Sequence, residues 1–267
     1  NLELTQTLSG EKEGSLLGAI DHCRTAMGRR TLKSWILQPL ADLDMINCRH
    51  DSVATLSRSS RRLNEIREAI KGLRDMERLA TQLSYNRSGS RDLVAIGLAL
   101  ERMPRLKSLC MEVEDPLLRT LSESIDRLEL VRIDIQANLN DEQPLSLRDG
   151  GLIREGVNSE LDDFRNAARK GHQLFKDLEA KERIRLKIPS LKVRHNRQIG
   201  WYIEVTNTHS SKVPDEWKRK QQMTTGNRYV TDELVEWEDK LLTADTKANS
   251  MEYSMFCDLR ERCRNHV

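Results

Sequence analysis

At 267 residues the chain has room for one large domain or two modest ones. Only 37% of it is hydrophobic and 4% aromatic against 32% charged, a balance that suits long solvated helices and disfavours a compact enzyme. The net charge is +2, no apolar run approaches the roughly 20 residues that span a bilayer, and no signal peptide is visible.

The chain opens on Asn1-Leu-Glu-Leu4 and not on Met, which reads as a piece of something longer. An extended opening ends in the turn Gly10-Glu-Lys-Glu-Gly14. Ser15 then caps a helix holding Leu16, Leu17 and Ile20, and Thr25 caps a second holding Met27, Leu32, Trp35 and Ile36, which Pro39 stops. Further helices are predicted over 43–56, 63–73, 75–85 and 91–102. Asn86-Arg-Ser-Gly89 separates the last two, and Pro104 and Pro116 punctuate the next part of the chain. Leu117, Leu118, Leu121, Ile125 and Leu128 make one more amphipathic helix. The stretch 138–151, with Pro144 and a glycine pair, is the expected domain boundary.

Beyond it, Leu161, Phe164, Ala168, Gly171, Phe175 and Leu178 step by three and four, as do Leu234, Trp237, Leu241, Ala244, Ala248, Met251 and Met255. Between these strings lies the one stretch that reads as β-structure, 188–230. Leu191, Val193 and His195 alternate with Lys192 and Arg194; after a turn at Asn196-Arg197-Gln198, Ile199, Trp201, Ile203 and Val205 alternate with Gly200, Tyr202 and Glu204. The expected fold is therefore mainly α. It is a helical bundle with a long antiparallel helix pair that carries a small antiparallel β-element at its tip. Thr231 is the predicted N-cap of the returning helix, with Asp232 and Glu233 at the positive end of its dipole.

The tip is where charge collects. Residues 185–230 hold ten Lys or Arg against three acids, a net +7 in a chain of +2. A positive tip on an acidic stem is a footprint for a polyanion, nucleic acid being the commonest. An acidic protein surface meeting a coiled-coil interaction module is the alternative. A second basic run, Arg58, Arg61, Arg62, Arg67, Lys71 and Arg74 with Glu65 and Glu68 between them, reads as the solvated face of a helix.

Catalytic motifs are weak. Gly151-Leu-Ile-Arg-Glu-Gly156 has the glycine spacing of a phosphate loop, but Val157-Asn158 stand next where Lys and Ser or Thr are required, so it reads as a turn. Cys257, Cys263 and His266 lack the tight pairs and fourth ligand of a zinc site. Cys23, Cys48 and Cys110 complete five scattered cysteines that read as reduced residues of a cytosolic protein. None of the histidines stands in a nucleophile motif, so no catalytic residue, metal site or cofactor is expected in this chain.

Several blocks carry a resemblance. Ile188-Pro-Ser-Leu-Lys-Val193, Gly200-Trp-Tyr-Ile-Glu-Val-Thr206, Lys212-Val-Pro214, Arg219-Lys-Gln221 and Arg228-Tyr-Val-Thr-Asp-Glu-Leu234 resemble the clamp of the MutS DNA mismatch-repair family. Gly14-Ser-Leu-Leu17, Met27-Gly28, Gln38-Pro-Leu40, Asp75-Met-Glu-Arg-Leu79, Arg91-Asp-Leu93 and Leu147-Arg-Asp-Gly-Gly151 are similar to that family's core, or lever, domain. The resemblance covers essentially the whole chain. It implies a lever (1–156) and a clamp with its coiled-coil arm (157–247). A returning lever helix (248–267) would come last, and the clamp would close on double-stranded DNA within a homo- or heterodimer.

The resemblance also implies parts that lie elsewhere. The family's Phe-x-Glu mismatch wedge has no counterpart after Phe164, Phe175 or Phe256, and no Walker motif for ATP and magnesium is present. Within the clamp the family's Thr-Leu-Lys-Asn is replaced by Gln222-Met-Thr-Thr225, so a neutral Thr224 stands in place of a lysine. Conversely Arg194 stands where glycine is usual. The expected phosphate partners are Arg194, Asn196, Arg219, Lys220, Thr225, Asn227 and Arg228. Asn196 serves equally as a turn former, and Lys220 equally as a solvated helix charge. Trp201 and Tyr202 read as hairpin core, with base stacking the alternative.

Overall fold

Small polar residues start the first helices. In the computed structural model, which describes residues 2–196 and 198–266, Ser15 and Thr25 accept main-chain N–H bonds at the starts of α1 (Leu16–Ile20) and α2 (Ala26–Leu37). Asn1 of the opening tetrapeptide and Arg197 of the predicted hairpin turn lie outside the described residues. The chain packs as two units, residues 1–143 with 256–267, and residues 144–255.

The first unit continues with α3 (Leu43–Ser57), α4 (Ser60–Ile70), α5 (Met76–Ser84), α6 (Ser90–Met111), α7 (Pro116–Ser124) and α8 (Glu129–Asn138). Its organising element is α6, which packs on α4, α5, α7 and α8 and buries Leu93, Ile96, Ala99, Leu100 and Leu109. Three local expectations change here. Pro104 does not end its helix; α6 runs through it, held by buried residues on both sides. The helix expected over 63–73 starts three residues earlier, because Ser59 is its N-cap. The helix expected from Leu117 to Leu128 stops early, with Leu117, Leu118 and Leu121 in α7, Ile125 as its C-cap and Leu128 as the N-cap of α8. The chain leaves α7 after Ser124, and Leu128 adopts a left-handed conformation (φ 42°) to start α8, its N–H held by the Asp126 carboxylate at 2.9 Å.

The second unit is built on α9 (Ser159–Leu186) and on residues 232–255 of α10 (Asp232–Arg264), the rest of which belongs to the first unit. Asn158 caps α9, and the Thr231 hydroxyl accepts the Leu234 N–H at 3.1 Å to cap α10. At 28 and 33 residues the two helices extend about 42 and 50 Å. They run antiparallel: Arg165 meets Glu252, His172 meets Asp245 and Phe175 meets Trp237. Gly171 lets them approach closely, since a Cβ there would stand 3.0 Å from Leu241 Cδ1. Leu161, Ala168, Phe175 and Leu178 face Leu234, Leu241, Ala244 and Ala248 along the buried seam.

Near the lower end of this pair Glu252, 2% exposed, accepts the N–H groups of Leu152 and Ile153 and a charged bond from Arg165 Nε at 3.2 Å. At the other end stands a four-stranded antiparallel sheet in the order β1-β2-β4-β3, from β1 (Lys192–Asn196), β2 (Gly200–Thr206), β3 (Lys218–Gln222) and β4 (Gly226–Val230). Ile203, Val205 and Tyr229 on one sheet face join Phe175, Leu178, Ile188, Leu191, Trp217 and Leu234 in a single apolar cluster. No described helix is long and apolar enough to cross a membrane.

Candidate nucleic-acid interface

The sheet is fixed to the helix pair by stacked rings and by acids. Trp201 lies flat on Phe175 (centroids 4.0 Å apart, planes at 5°), and Trp237 meets Phe175 edge-on at 6.2 Å. Both tryptophans therefore belong to the packing between sheet and helices. Glu179 on α9 accepts the N–H of Val193 at 2.8 Å, and Arg183 donates to the Leu191 carbonyl at 2.6 Å. Glu238 on α10 accepts the Trp201 N–H at 3.3 Å. Gly200 beside it has φ +80°, and a Cβ there would stand 2.5 Å from both Glu238 carboxylate oxygens. Edge groups of the hairpin that would otherwise need water are thus held by helix carboxylates.

The register decides which side chains face away from this core. Directly opposed residues of an antiparallel pair share a face. Arg194 opposes Tyr202 and Lys192 opposes Glu204 across β1 and β2; Glu204 also opposes Arg228 across β2 and β4, and Arg228 opposes Gln221 across β4 and β3. Lys192, Arg194 and Arg228 therefore share the outward face with one acid, Glu204.

The expected contact residues occupy different environments. Arg194 is exposed on β1. Asn196 ends β1, and its side-chain oxygen accepts the Gln198 N–H at 2.8 Å, which is the turn-forming role. Arg219 and Lys220 are exposed on the edge strand β3, at the register shift between Arg219 and Gln221; Arg219 opposes Tyr229 and so stands on the core side of that edge, and Lys220 is a strand residue, not a helix charge. Thr225 is exposed in the β3–β4 turn, and its carbonyl accepts the Asn207 N–H at 3.3 Å. Asn227 is 5% exposed, and its amide donates to Asn207 Oδ1 (3.4 Å) and Ser210 Oγ (3.3 Å), so it supports the surface from beneath. Arg228 lies over the Tyr202 ring at 4.5 Å and donates to Gln221 Oε1 at 2.8 Å.

Two residues that sequence reasoning passed over enter the surface, Lys192 and Gln221. Alternation places Lys192 beside Arg194, but only the register puts both on the face of Arg228. Tyr202 is buried as expected, yet on the face opposite Ile203, beneath Arg228.

Four of the six cations of the other basic run are paired, Arg58 and Arg67 having no carboxylate partner among the described residues. Lys192, Arg194, Arg219 and Lys220 have no carboxylate partner among the described residues, whereas Lys218 is paired with Asp232 at 2.6 Å. In the first unit Arg61 pairs with Glu65 (3.5 Å), Arg62 with Glu112 (2.9 Å), Lys71 with Glu68 (3.1 Å) and Arg74 with Asp92 (3.9 Å). The glycine-spaced segment forms a turn in which the Gly156 N–H is taken by the Asp162 carboxylate at 2.8 Å, an acid where a phosphate oxygen would have to sit. All five cysteines are free, and burial pushes the Cys263 thiol up to about 11.

Residues 1–267 match the family model described as MutS domain III. Over its full length the chain is 39% identical to a DNA mismatch repair protein MutS of Lachnoclostridium phytofermentans. It is 38% identical to one of that name from Caldicellulosiruptor bescii and 40% to one from Alkaliphilus metalliredigens. It spans 29%, 31% and 30% of the length of these relatives, respectively.

Proposed function

Since the chain belongs to the MutS family and corresponds to its domain III, we propose that its sheet is a clamp on the backbone of double-stranded DNA. Arg194, Arg219, Lys220 and Arg228, joined by Lys192, are the phosphate partners. Thr225 and Asn196 flank them in the two turns, and Asn227 acts from below. Such contacts position a duplex without reading its sequence, so the clamp holds matched and mismatched DNA alike. Residues 157–247 form the clamp and its arm, and residues 1–156 and 248–267 the two parts of a lever. The lever couples the clamp to an ATPase that belongs to the remainder of the parent protein, as do ATP, magnesium and the dimer. This chain itself catalyses no reaction.

The observation that carries this reading is that Lys192, Arg194 and Arg228 lie without carboxylate partners on the sheet face opposite the core, with Arg219 and Lys220 exposed on the edge strand beside it. Arginine and lysine that neutralise phosphates release condensed counterions, which supplies most of non-specific affinity. The experiment is charge reversal with a fluorescent duplex. Arg194→Glu with Arg228→Glu should cut affinity sharply, and Arg61→Glu with Arg62→Glu should leave it nearly unchanged. Circular dichroism checks folding in each. Loss of binding in the second pair alone overturns the proposal, and retained binding to acidic protein with none to DNA favours an interaction module.

A further inference from the structure

Among the described residues Lys192, Arg194, Arg219 and Lys220 are exposed side chains that no carboxylate holds. Arg228 is different. It lies on β4, between β2 and β3, and is only partly exposed. Its guanidinium carbon sits 4.5 Å over the Tyr202 ring, its Nη1 donates to Gln221 Oε1 at 2.8 Å, and its Nε is buried without a hydrogen-bond partner. Its cross-strand neighbour Glu204 is not within ion-pair distance among the described residues, so the charge remains uncompensated. Nη2 is neither buried nor bonded among the described residues.

We infer that Tyr202 and Gln221 are positioning residues that hold Arg228 as a pre-oriented fork for a phosphodiester oxygen. The inference rests on the clamp reading above. A guanidinium is planar, and its value at a phosphate depends on the direction of its N–H groups. The Tyr202 ring fixes the height and tilt of the plane through the attraction of a cation to a π face. The Gln221 oxygen consumes one hydrogen of Nη1 and so fixes rotation within the plane. The Nη2 hydrogens remain unbonded among the described residues. Binding through Arg228 then orders little that is not already ordered, whereas Lys192, Arg194, Arg219 and Lys220 each lose rotamer freedom when a phosphate immobilises them. Tyr202 is thus more than hairpin core, and Gln221 more than a polar residue on an edge strand.

The test is a double-mutant cycle on the full 267-residue chain, read as duplex affinity and as its salt dependence. Tyr202→Leu keeps an apolar side chain and removes the π face. It should weaken binding roughly three- to tenfold with the salt slope unchanged, because Arg228 still neutralises its phosphate. Tyr202→Phe should restore affinity to within about twofold, since the ring suffices. In an Arg228→Gln background, Tyr202→Leu should have no further effect. Gln221 is exposed on the edge strand, so Gln221→Ala provides a second arm that leaves the core intact, with a loss of roughly threefold that also vanishes without Arg228. Equal losses in both backgrounds would mean that these residues merely support the sheet, and would overturn the inference. So would Arg228→Gln binding as tightly as the parent while Arg194→Glu does not. If no tip variant changes affinity, the clamp reading itself fails, and that result is distinct from either of the others.

Discussion

Replacing Gly200 with alanine strikes the joint between the β1–β2 hairpin and α10. Gly200 has φ +80°, a conformation that costs an L-residue about 1–2 kcal/mol. The new Cβ would lie 2.5 Å from both oxygens of Glu238. A carboxylate at the end of a flexible side chain can swing away, so the contact itself costs little. In swinging it surrenders the Trp201 N–H, now 3.3 Å away. A hydrogen bond to a charged acceptor contributes about 1.5–3 kcal/mol, and this long one belongs at the lower end. The expected destabilisation is about 2–4 kcal/mol. Urea unfolding followed by tryptophan fluorescence measures it, because Trp201, Trp217 and Trp237 all lie in the second unit. In a Glu238→Ala background only the backbone strain remains, so the same substitution should cost about 1–2 kcal/mol. A cost below about 0.5 kcal/mol in the parent refutes the backbone argument. Equal costs in the two backgrounds refute the coupling to Glu238.

Three further outcomes are expected. Glu252→Ala takes the carboxylate from the Leu152 and Ile153 N–H groups and leaves Arg165 with Asp162 at 3.2 Å and the Ile153 carbonyl at 2.6 Å, and should destabilise the second unit by about 2–3 kcal/mol in the same assay. The Arg30 guanidinium beside Asp75 holds that carboxyl down from 3.8 to about 2. The folded value lies below the unfolded one, so the pair's stabilisation is complete above about pH 4 and is lost as pH falls toward 2. Thermal melting followed from pH 7 to 2 should stay level and then drop in that window, with a shallower drop for Arg30→Gln. Matched and mismatched duplexes should bind the chain equally in competition; a tenfold preference for the mismatch, about 1.4 kcal/mol, contradicts a clamp that touches phosphates alone.

Much of this architecture is legible in the residues, and the failures have physical causes. Caps at Ser15, Thr25 and Thr231, the seam from Leu161 to Leu178 and the alternation through Ile203 and Val205 all depend on local chemistry, so the sequence displays them. The division between α7 and α8 depends on Leu128 taking a left-handed conformation, which no glycine or proline announces. α6 continues through Pro104 because burial on both sides outweighs one missing hydrogen bond. β3 is an exposed edge strand, Lys-Arg-Lys-Gln-Gln, with no alternation to betray it. Glu179 and Glu238 look like solvated helix charges until the strands whose N–H groups they accept are in place. At the candidate site the residue types were visible, but their division was not. Register alone puts Lys192 and Arg194 on the face of Arg228, sinks Asn227 beneath the surface and lays Arg228 across Tyr202.

The salt dependence of duplex binding tests the central claim most directly. If the sheet grips about three to five phosphates, the logarithm of the association constant should fall against the logarithm of salt concentration with a slope of roughly −3 to −4.5. Affinity at physiological salt should be on the order of 10⁻⁴ to 10⁻⁶ M. Arg194→Glu with Arg228→Glu should flatten that slope by roughly two contacts, or about 1.8. A parent slope near zero, or a slope unmoved by the tip pair yet flattened by Arg61→Glu with Arg62→Glu, would mean that this chain does not hold DNA by its sheet.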